Sequence, residues 1–474
     1  MTKSIFTPKV RRIFDLLNSG GARDVLLVGG CVRDWLLGVE SKDIDLEVYG
    51  LSYEKIAEIL SPHFRVEQVG KSFGVLKVGH DIDVALPRTE SKAGTGHTGF
   101  DVVSDPYLDP KGAFARRDFT INALGMRADG QIVDFYGGQR DLDKKILRAV
   151  SAAFKDDPLR VLRGMQFASR FGMTLDEKTT EYCRELLPEF ATLSEERIYE
   201  EWHKWATKGV YPSRGLEVLR QTGWITCFSE LSALNGCEQN PKWHPEGDVW
   251  EHTKLVTDQM AGLIRASGQS GDETSEPFSD EERTILMFAA LCHDFGKPSV
   301  SVRDTDGTIR SHGHAEVGVP LAEAFLRRMK APIRIIETVK PLVAEHMAIL
   351  NTQKLGVPSP RTVRRLAVRL APATIRHWCA LCQADALGCF SPACDQKLIR
   401  FETDVWLNAA ENASVRDEQP KPILLGRHLI ELGWESGPMM GKTLDAAFEA
   451  QLDGAFDSVE TALVWLKENI HQER

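Results

Sequence analysis

Asp43 and Asp45 stand two apart in a string that alternates acid and apolar residues, Asp43-Ile44-Asp45-Leu46-Glu47-Val48. On a β-strand, residues i and i+2 share a face, so the two carboxylates project together. Carboxylates that close repel each other unless a divalent cation lies between them. Magnesium takes oxygen ligands and keeps positions open for triphosphate oxygens, which suits two-metal in-line phosphoryl transfer. Just upstream, Leu27-Val28-Gly29-Gly30-Cys31-Val32-Arg33-Asp34 reads as a buried strand, a glycine turn and a short helix ending at Gly38. Glycines there let backbone N–H groups approach a phosphate at a helix N-terminus. Arg33 on the first helical turn adds a charge-assisted contact. A second acidic strand, Asp81-Ile82-Asp83-Val84-Ala85, makes Asp83 a candidate third carboxylate. Downstream, Arg116-Arg117-Asp118-Phe119-Thr120-Ile121-Asn122 sets two arginines before a helical start, suited to a triphosphate, with Asn122 one turn on for a sugar hydroxyl.

A different chemistry is written from Trp243 onward, in WHPEGDVWEHT, ALCHDFGKP, SHGHAEVG, AEHM and QADALG. His252, His293, Asp294, His346 and Asp385 are the candidate ligands, with His312 and His314 close by. Imidazoles combined with carboxylates suit Mn, Ni, Co or Zn, and water held on such an ion loses its proton near neutral pH. Most buried histidines occur alone, so the adjacent pair His293-Asp294 is informative. Cys379-x-x-Cys382, with Cys389 and Cys394 beyond, has no second Cys-x-x-Cys and sits in an apolar helical run, which argues against a structural zinc.

These groups need elements to hold them. The 474 residues suit about three domains. Short β-branched runs between residues 20 and 140 (Val25–Val28, Ile44–Val48, Val75–Val78, Ile82–Leu86, Ile132–Phe135) predict a small mixed α/β sheet. From Asp141 the period becomes helical, through Leu159, Leu162 and Gln166-Phe167, then Ile198, Trp202 and Trp205. The expected organisation is a sheet head at 1–140, a helical neck at 141–240, an all-α metal domain at 241–395 and a helical tail at 396–474. The Arg88–Ala115 segment, with many Gly and Ser/Thr residues (SKAGTGHTGF), and the polar stretch 266–280 read as loops. No apolar run reaches the roughly 20 residues that cross a bilayer, and the N-terminus lacks a secretory apolar core. Nine scattered cysteines suit a reducing cytoplasm. The net charge of −10 speaks against a protein that coats nucleic acid, but phosphate contacts depend on local patches. Arg116-Arg117, Lys144-Lys145, Arg160/Arg163/Arg170 and the helically spaced Arg361/Arg364/Arg365/Arg369 are such patches. Oligomeric state is open.

The strings LLVGGCVRD, KDIDLEV, RRDFTINAL and DDPLRVLRGMQFASRFG, in this order, resemble the class II tRNA nucleotidyltransferases, a family of CCA-adding enzymes and bacterial poly(A) polymerases. The resemblance covers residues 25 to about 235. It implies nucleotide binding by Gly30, Arg33, Arg117 and Arg163, beside the candidates Gly29 and Asn122 read from the residues themselves, and Mg2+ on Asp43 and Asp45. The segment from Trp243 resembles the HD phosphohydrolase superfamily, and the combination resembles bacterial multifunctional CCA proteins. A phosphatase or 2′,3′-cyclic phosphodiesterase centre with Ni2+, Mn2+ or Co2+ is the corresponding expectation.

Asp157 and Arg160, at i and i+3 on one face of a helix expected to start at or just before Pro158, are either a surface ion pair worth under about 1 kcal/mol or a protein template. As a template, one acceptor and a fork of donors match cytosine and adenine but not uracil or guanine; the resemblance favours this reading. Two residues depart from the family pattern. Asp156 replaces a glutamate, and Gln166 stands where some members carry an arginine, which removes a cation near the triphosphate. The expected partners are a tRNA 3′ end, CTP and ATP, without a membrane. Three alternatives stay open: an A-adding or poly(A) enzyme, a phosphohydrolase whose N-terminal part only binds RNA, and an antibiotic-type nucleotidyltransferase, which would have no use for the neck.

Overall fold

In the computed structural model, residues 5–41, 43–70, 74–92, 100–267, 276–349, 356–389 and 396–469 are described. The chain divides into two units, Met1–Cys227 and Phe228–Arg474. The expected loop at 88–115 instead holds two paired strands, Arg88–Lys92 and Phe100–Ser104, and a helix that Pro110 starts, Pro110–Ala115; parts of it and of the expected loop at 266–280, and Cys394, lie outside the described residues.

The first unit is built on a mixed sheet. Its strands are β1 (Asp24–Val28), β2 (Ile44–Tyr49), β3 (Val66–Gly70), β4 (Val75–Val78), β5 (Ile82–Ala85), β8 (Gly125–Met126) and β9 (Ile132–Val133), with β6 (Arg88–Lys92) and β7 (Phe100–Ser104) forming a separate hairpin. The order across the sheet is β3-β4-β5-β2-β1-β8-β9, and only β2 and β5 run parallel. Register decides which side chains share a face. Leu26 pairs with Glu47 across β1 and β2, and Asp45 pairs with Asp83 across β2 and β5. Paired residues project to the same side, so Glu47, Asp45 and Asp83 line one face with Leu26 and Val28. That face is dry at one end, where Leu26, Val28, Tyr49, Phe114, Ala123 and Val133 form a core cluster. β9 ends before the expected Phe135, because Asp134 accepts the backbone N–H groups of Tyr136, Gly138 and Gln139 and turns the chain.

The helical part of this unit centres on Leu159–Phe171, whose buried face includes Leu159, Leu162, Gln166 and Phe167. Gly172, left-handed at φ 66°, ends it. Asp157 is not on this helix, contrary to the i, i+3 reading. Its extended backbone (φ −125°, ψ 107°) follows from the proline after it, which disfavours the helical region. Helices Glu195–Lys208 and Pro212–Thr222 pack against Leu159–Phe171. At Gly215 the approach is so close that a Cβ would lie 2.1 Å from Ser169 Oγ and 2.5 Å from the Met165 carbonyl oxygen.

Among the described residues, the regular structure of the second unit is helical except for a small hairpin, Val302–Arg303 with Ile309–Arg310. Helices Val249–Ala266, Asp280–Cys292, Ile333–Glu345 and Ile375–Gly388 pack together. The tail helices Gly426–Glu431, Pro438–Leu452 and Val459–Asn469 share a cluster of their own around Leu429, Met440, Phe456 and Leu466. The arginine stripe of helix Pro360–Leu370 faces carboxylates. Arg361 and Arg365 meet Asp453 at 2.9 Å, Arg365 also meets Glu449, and Arg369 meets Glu345. This stripe is largely an intramolecular clasp rather than a free phosphate surface. Among the described residues no helix is long and apolar enough to cross a membrane.

Filling the Gly215 contact tests how tightly the arginine-bearing helix is held. Gly215→Val is expected to destabilise the first unit by roughly 1–3 kcal/mol through overpacking. Urea unfolding measures it, and an unchanged midpoint would contradict the close approach.

Candidate functional site

Gly29, at φ 77°, joins β1 to helix Gly30–Leu36. The positive φ is one reason for glycine, and Arg117 is the other. A Cβ at Gly29 would lie 2.6 Å from Arg117 Nη1. Arg117 donates from Nη1 to the Asn122 carbonyl at 3.2 Å and faces the buried Glu47 at 3.6 Å. Glu47 also accepts from the Tyr49 hydroxyl. The acid/apolar alternation contains the signal for Glu47, which the sequence reading did not single out.

Asp43 and Asp45 are exposed at the start of β2. The cleft walls desolvate Asp45, which pushes its carboxyl up; Arg117 draws it down, while Asp83, Asp43 and Glu47 push it up again. Negative charge crowded in this way fits a divalent cation. The site is open rather than closed: among the described residues, groups of three ligand atoms within 4.8 Å occur only in the second unit. Asp83 accordingly shares the face without completing such a group, and Lys77 lies 3.7 Å from it.

Behind the carboxylates runs a cleft of about 510 Å³ lined by eight arginines and two lysines against three aspartates. In a chain of net charge −10, this local excess of positive charge suits a polyanion. Its floor is a buried network. Arg33 donates to Asp34 (2.8 Å) and to the Asn122 side-chain oxygen, and its guanidinium lies over Phe167 and Phe171. Asn122 Nδ2 donates to Asp118 at 3.0 Å, and Arg163 meets Asp118 at 2.7 Å. Arg33 and Asn122 thus already have protein partners, although both line the cleft. Burial pushes the Asp118 carboxyl up, but Arg163, Asn122 and the Phe119 N–H outweigh it and hold it at about 2. Burial pushes Lys208 down, and Arg170 and Lys204 add to the effect. Gln166 is buried in the cleft wall. One turn on, Arg170 reaches the same cleft and meets Asp34 at 3.1 Å, so positive charge persists there.

Asp157 and Arg160 line this cleft and are held by different partners. Asp157 Oδ2 accepts from Arg197 at 2.8 Å and its Oδ1 from the Leu159 N–H. Arg160 donates to the carbonyls of Ala153 (2.7 Å) and Arg116 (2.8 Å). The surface-ion-pair reading therefore fails. Arg197 was not foreseen, because no local pattern links residues 40 apart.

The second unit brings His252, His293, Asp294, His346 and Asp385 together. His293 and His252 Nε2 lie 3.2 and 3.8 Å from Asp294 Oδ2, and His252 Nε2 lies 3.0 Å from Asp385. His314 joins them, its Nε2 3.4 Å from Asp294 Oδ1 and 3.1 Å from His346 Nε2. His312 is exposed. The Nδ1 atoms of His293, His314 and His346 face the carbonyls of Ala290, Ser311 and Val343 at 2.7–2.9 Å. Nδ1–H donation leaves a lone pair on each Nε2. Lone pairs of His314 and His346 opposed at 3.1 Å, beside the carboxylates of Asp294 and Asp385, fit a cation. Burial, reinforced by His293, pushes His346 down to about 4. Burial would also lower His252, but hydrogen bonds to Asp385 and Glu246 raise it to about 9, a proton that a dication would displace. Lys297, 2.7 Å from Asp294, and the pair His244 and Glu246 were missed as individual residues, although they stand in the quoted strings. Cys379 and Cys382 are buried thiols facing the carbonyls of Thr403 and His346, and burial pushes both up. They are core residues.

Comparison with known proteins matches residues 25–148 to the poly A polymerase head domain, 172–234 to the probable RNA and SrmB-binding site of polymerase A, and 249–385 to the HD domain. The chain is 35% identical to a multifunctional CCA protein of Pasteurella multocida over 77% of its length and 84% of the relative's. It is 36% identical to one of Vibrio parahaemolyticus over 77% and 85%. Its fold resembles the Bacillus stearothermophilus CCA-adding enzyme in complex with CTP, with TM-score 0.62, 21% identity and 98% coverage of each chain.

The Asp118 network gives a pH signature. Its folded-state carboxyl lies below the unfolded value near 4, so its contribution is present above that value and is lost as pH falls from about 4 through about 2. Asp118→Asn is expected to cost at most about 2 kcal/mol at pH 7, less for screening of Arg163, which is 35% exposed. Urea unfolding should show the gap from wild type narrowing by pH 3; a gap that widens there would contradict the assignment.

Proposed function

Because the chain belongs to the family of multifunctional CCA proteins, we propose that it adds C and A to the 3′ end of tRNA from CTP and ATP, and that its HD domain hydrolyses phosphate esters at RNA ends. The divalent-metal dependence of both domain types suits the two carboxylate-rich sites. The observation that carries the reading is a single cationic cleft lined by Asp45 together with Asp157 and Arg160. A nucleotide in it would have its triphosphate at the strand carboxylates and its base against a fixed acceptor and donor.

In this reading Asp43 and Asp45 hold Mg2+, which when bound would stabilise charge on the phosphoryl oxygens and the attacking 3′-hydroxyl. Gly29 and Gly30 let the backbone approach the triphosphate, and Arg117, Arg163 and Arg170 neutralise it. Asp83 keeps the carboxylate face acidic. Arg33 and Asn122 hold Asp118 and Arg163 in place. Asp157 accepts from the exocyclic amino group of cytosine or adenine while Arg160 donates to the neighbouring ring nitrogen. Uracil and guanine put a carbonyl opposite the Asp157 oxygen and are rejected by the lone-pair clash. His252, His293, Asp294, His346 and Asp385, with His314, would hold Ni2+, Mn2+ or Co2+, which polarises a phosphoryl group and acidifies water. An RNA end capped by a 2′,3′-cyclic or terminal phosphate has no free 3′-hydroxyl for extension, so the two activities act in sequence. The four-part division at 140, 240 and 395 matches these roles and is part of the proposal.

A tRNA transcript lacking CCA, incubated with CTP, ATP or both, is expected to gain CCA. A-tailing without CTP incorporation would make the chain an A-adding enzyme instead. Asp45→Ala should reduce incorporation by about three orders of magnitude, corresponding to several kcal/mol of lost charge stabilisation; unchanged incorporation would leave only RNA binding to the head. Arg160→Ala should weaken discrimination against UTP by roughly 5- to 150-fold, the equivalent of about 1–3 kcal/mol. Misincorporation kinetics measure it.

A further inference from the structure

Three of the four imidazoles at the HD centre owe their orientation to backbone carbonyls three residues upstream. His252 is different. Its Nδ1 faces a side chain, Glu246 Oε1, at 2.9 Å. The same oxygen faces His244 Nδ1 at 2.8 Å, and the two rings stand 4.8 Å apart at 75°. The Glu246 side chain is 1% exposed, so this contact is not a surface accident.

The chain builds this clamp locally. Asp248 caps helix Val249–Ala266 by accepting the Glu251 N–H, and Gly247, at φ 130°, folds the preceding segment back over the first turn. Glu246 thereby reaches the residue six positions ahead of it. A carboxylate accepting Nδ1–H fixes the tautomer of an imidazole and directs its Nε2 lone pair outward. For His252 that direction is toward Asp294 and Asp385. His244 hangs from the same oxygen, so its Nε2 also points away from Glu246; its ring is partly exposed and feels the charges of Lys297, His252 and Asp294.

We propose that Glu246 is a positioning residue that aims two histidines at once, His252 at the metal and His244 at the phosphate of an RNA end approaching it. The metal half of this proposal rests only on the ligand geometry; the phosphate half rests on the phosphohydrolase reading given above.

Nickel(II) chloride titrated into the full-length metal-stripped protein by calorimetry separates the halves. Glu246→Ala should weaken Ni2+ binding tenfold to a hundredfold, and Glu246→Gln, which keeps an acceptor oxygen, should recover part of the loss. Affinity within twofold of wild type for Glu246→Ala would overturn the positioning role. His244→Ala should leave Ni2+ affinity within twofold but raise KM for a 2′,3′-cyclic nucleotide several-fold, with kcat less affected. Metal loss equal to that of Glu246→Ala, or an unchanged KM, would overturn the division of labour. Equal unfolding midpoints in EDTA show that each variant folds; a variant that melts early is replaced by Glu246→Asp, whose shorter arm should likewise weaken Ni2+ binding. Wild type that binds Ni2+ but cleaves no phosphate ester would refute the phosphohydrolase reading and leave the Glu246–His252 result standing.

Discussion

Arg117 lies in the space that Gly29 leaves by having no side chain, and the head depends on that contact. From there the guanidinium touches the turn, the Asn122 carbonyl and Glu47 on the central strand. One cation thus ties the glycine turn to the carboxylate face. It also offsets part of the repulsion among Asp43, Asp45, Glu47 and Asp83. Without it, three acids on two neighbouring strands, with Asp43 just before them, would oppose the parallel register that sets Asp45 beside Asp83. The site is built from charges that need each other, with the sheet fixing their spacing.

The second unit solves the same problem with neutral donors. Its imidazoles are oriented by carbonyls and by one carboxylate, and their free nitrogens converge on both oxygens of Asp294. Lys297 supplies the nearest positive charge at 2.7 Å. Two families of domain therefore present different electrostatic preparation: crowded carboxylates beside a cationic cleft in one, and crowded imidazole nitrogens around the Asp294 and Asp385 carboxylates in the other.

How much of this the sequence disclosed follows from the range of each interaction. Asp43 and Asp45 were legible because strands repeat every two residues, and the same alternation held Glu47. His293-Asp294 was legible because adjacent ligands are uncommon. Asp157 was assigned to a helix by spacing alone, while the proline after it dictates an extended backbone. Arg197 on Asp157 and Arg170 on Asp34 bridge 40 and 136 residues, separations at which no local periodicity operates. The helically spaced arginines at 361–369 were legible as a stripe, but the tail carboxylates that meet them are too distant in sequence to be paired with it. Spacing along the chain identifies groups that share an element; it does not identify what supports them.

Arg160 offers a last consequence. Its two terminal nitrogens already donate to the Ala153 and Arg116 carbonyls, and Asp157 is already held by Arg197. An unrestrained arginine gives up roughly 2 kcal/mol of rotamer entropy when it is fixed. Here the two carbonyl contacts already order the guanidinium, so in the proposed template role that cost would precede the base. A fixed fork cannot swing aside to accommodate a wrong base, so a mismatch remains unpaired instead of being absorbed by side-chain motion. In the proposed role, selectivity of this kind would reside in stiffness, and loosening either carbonyl contact would blur it without removing a single group proposed to meet the base.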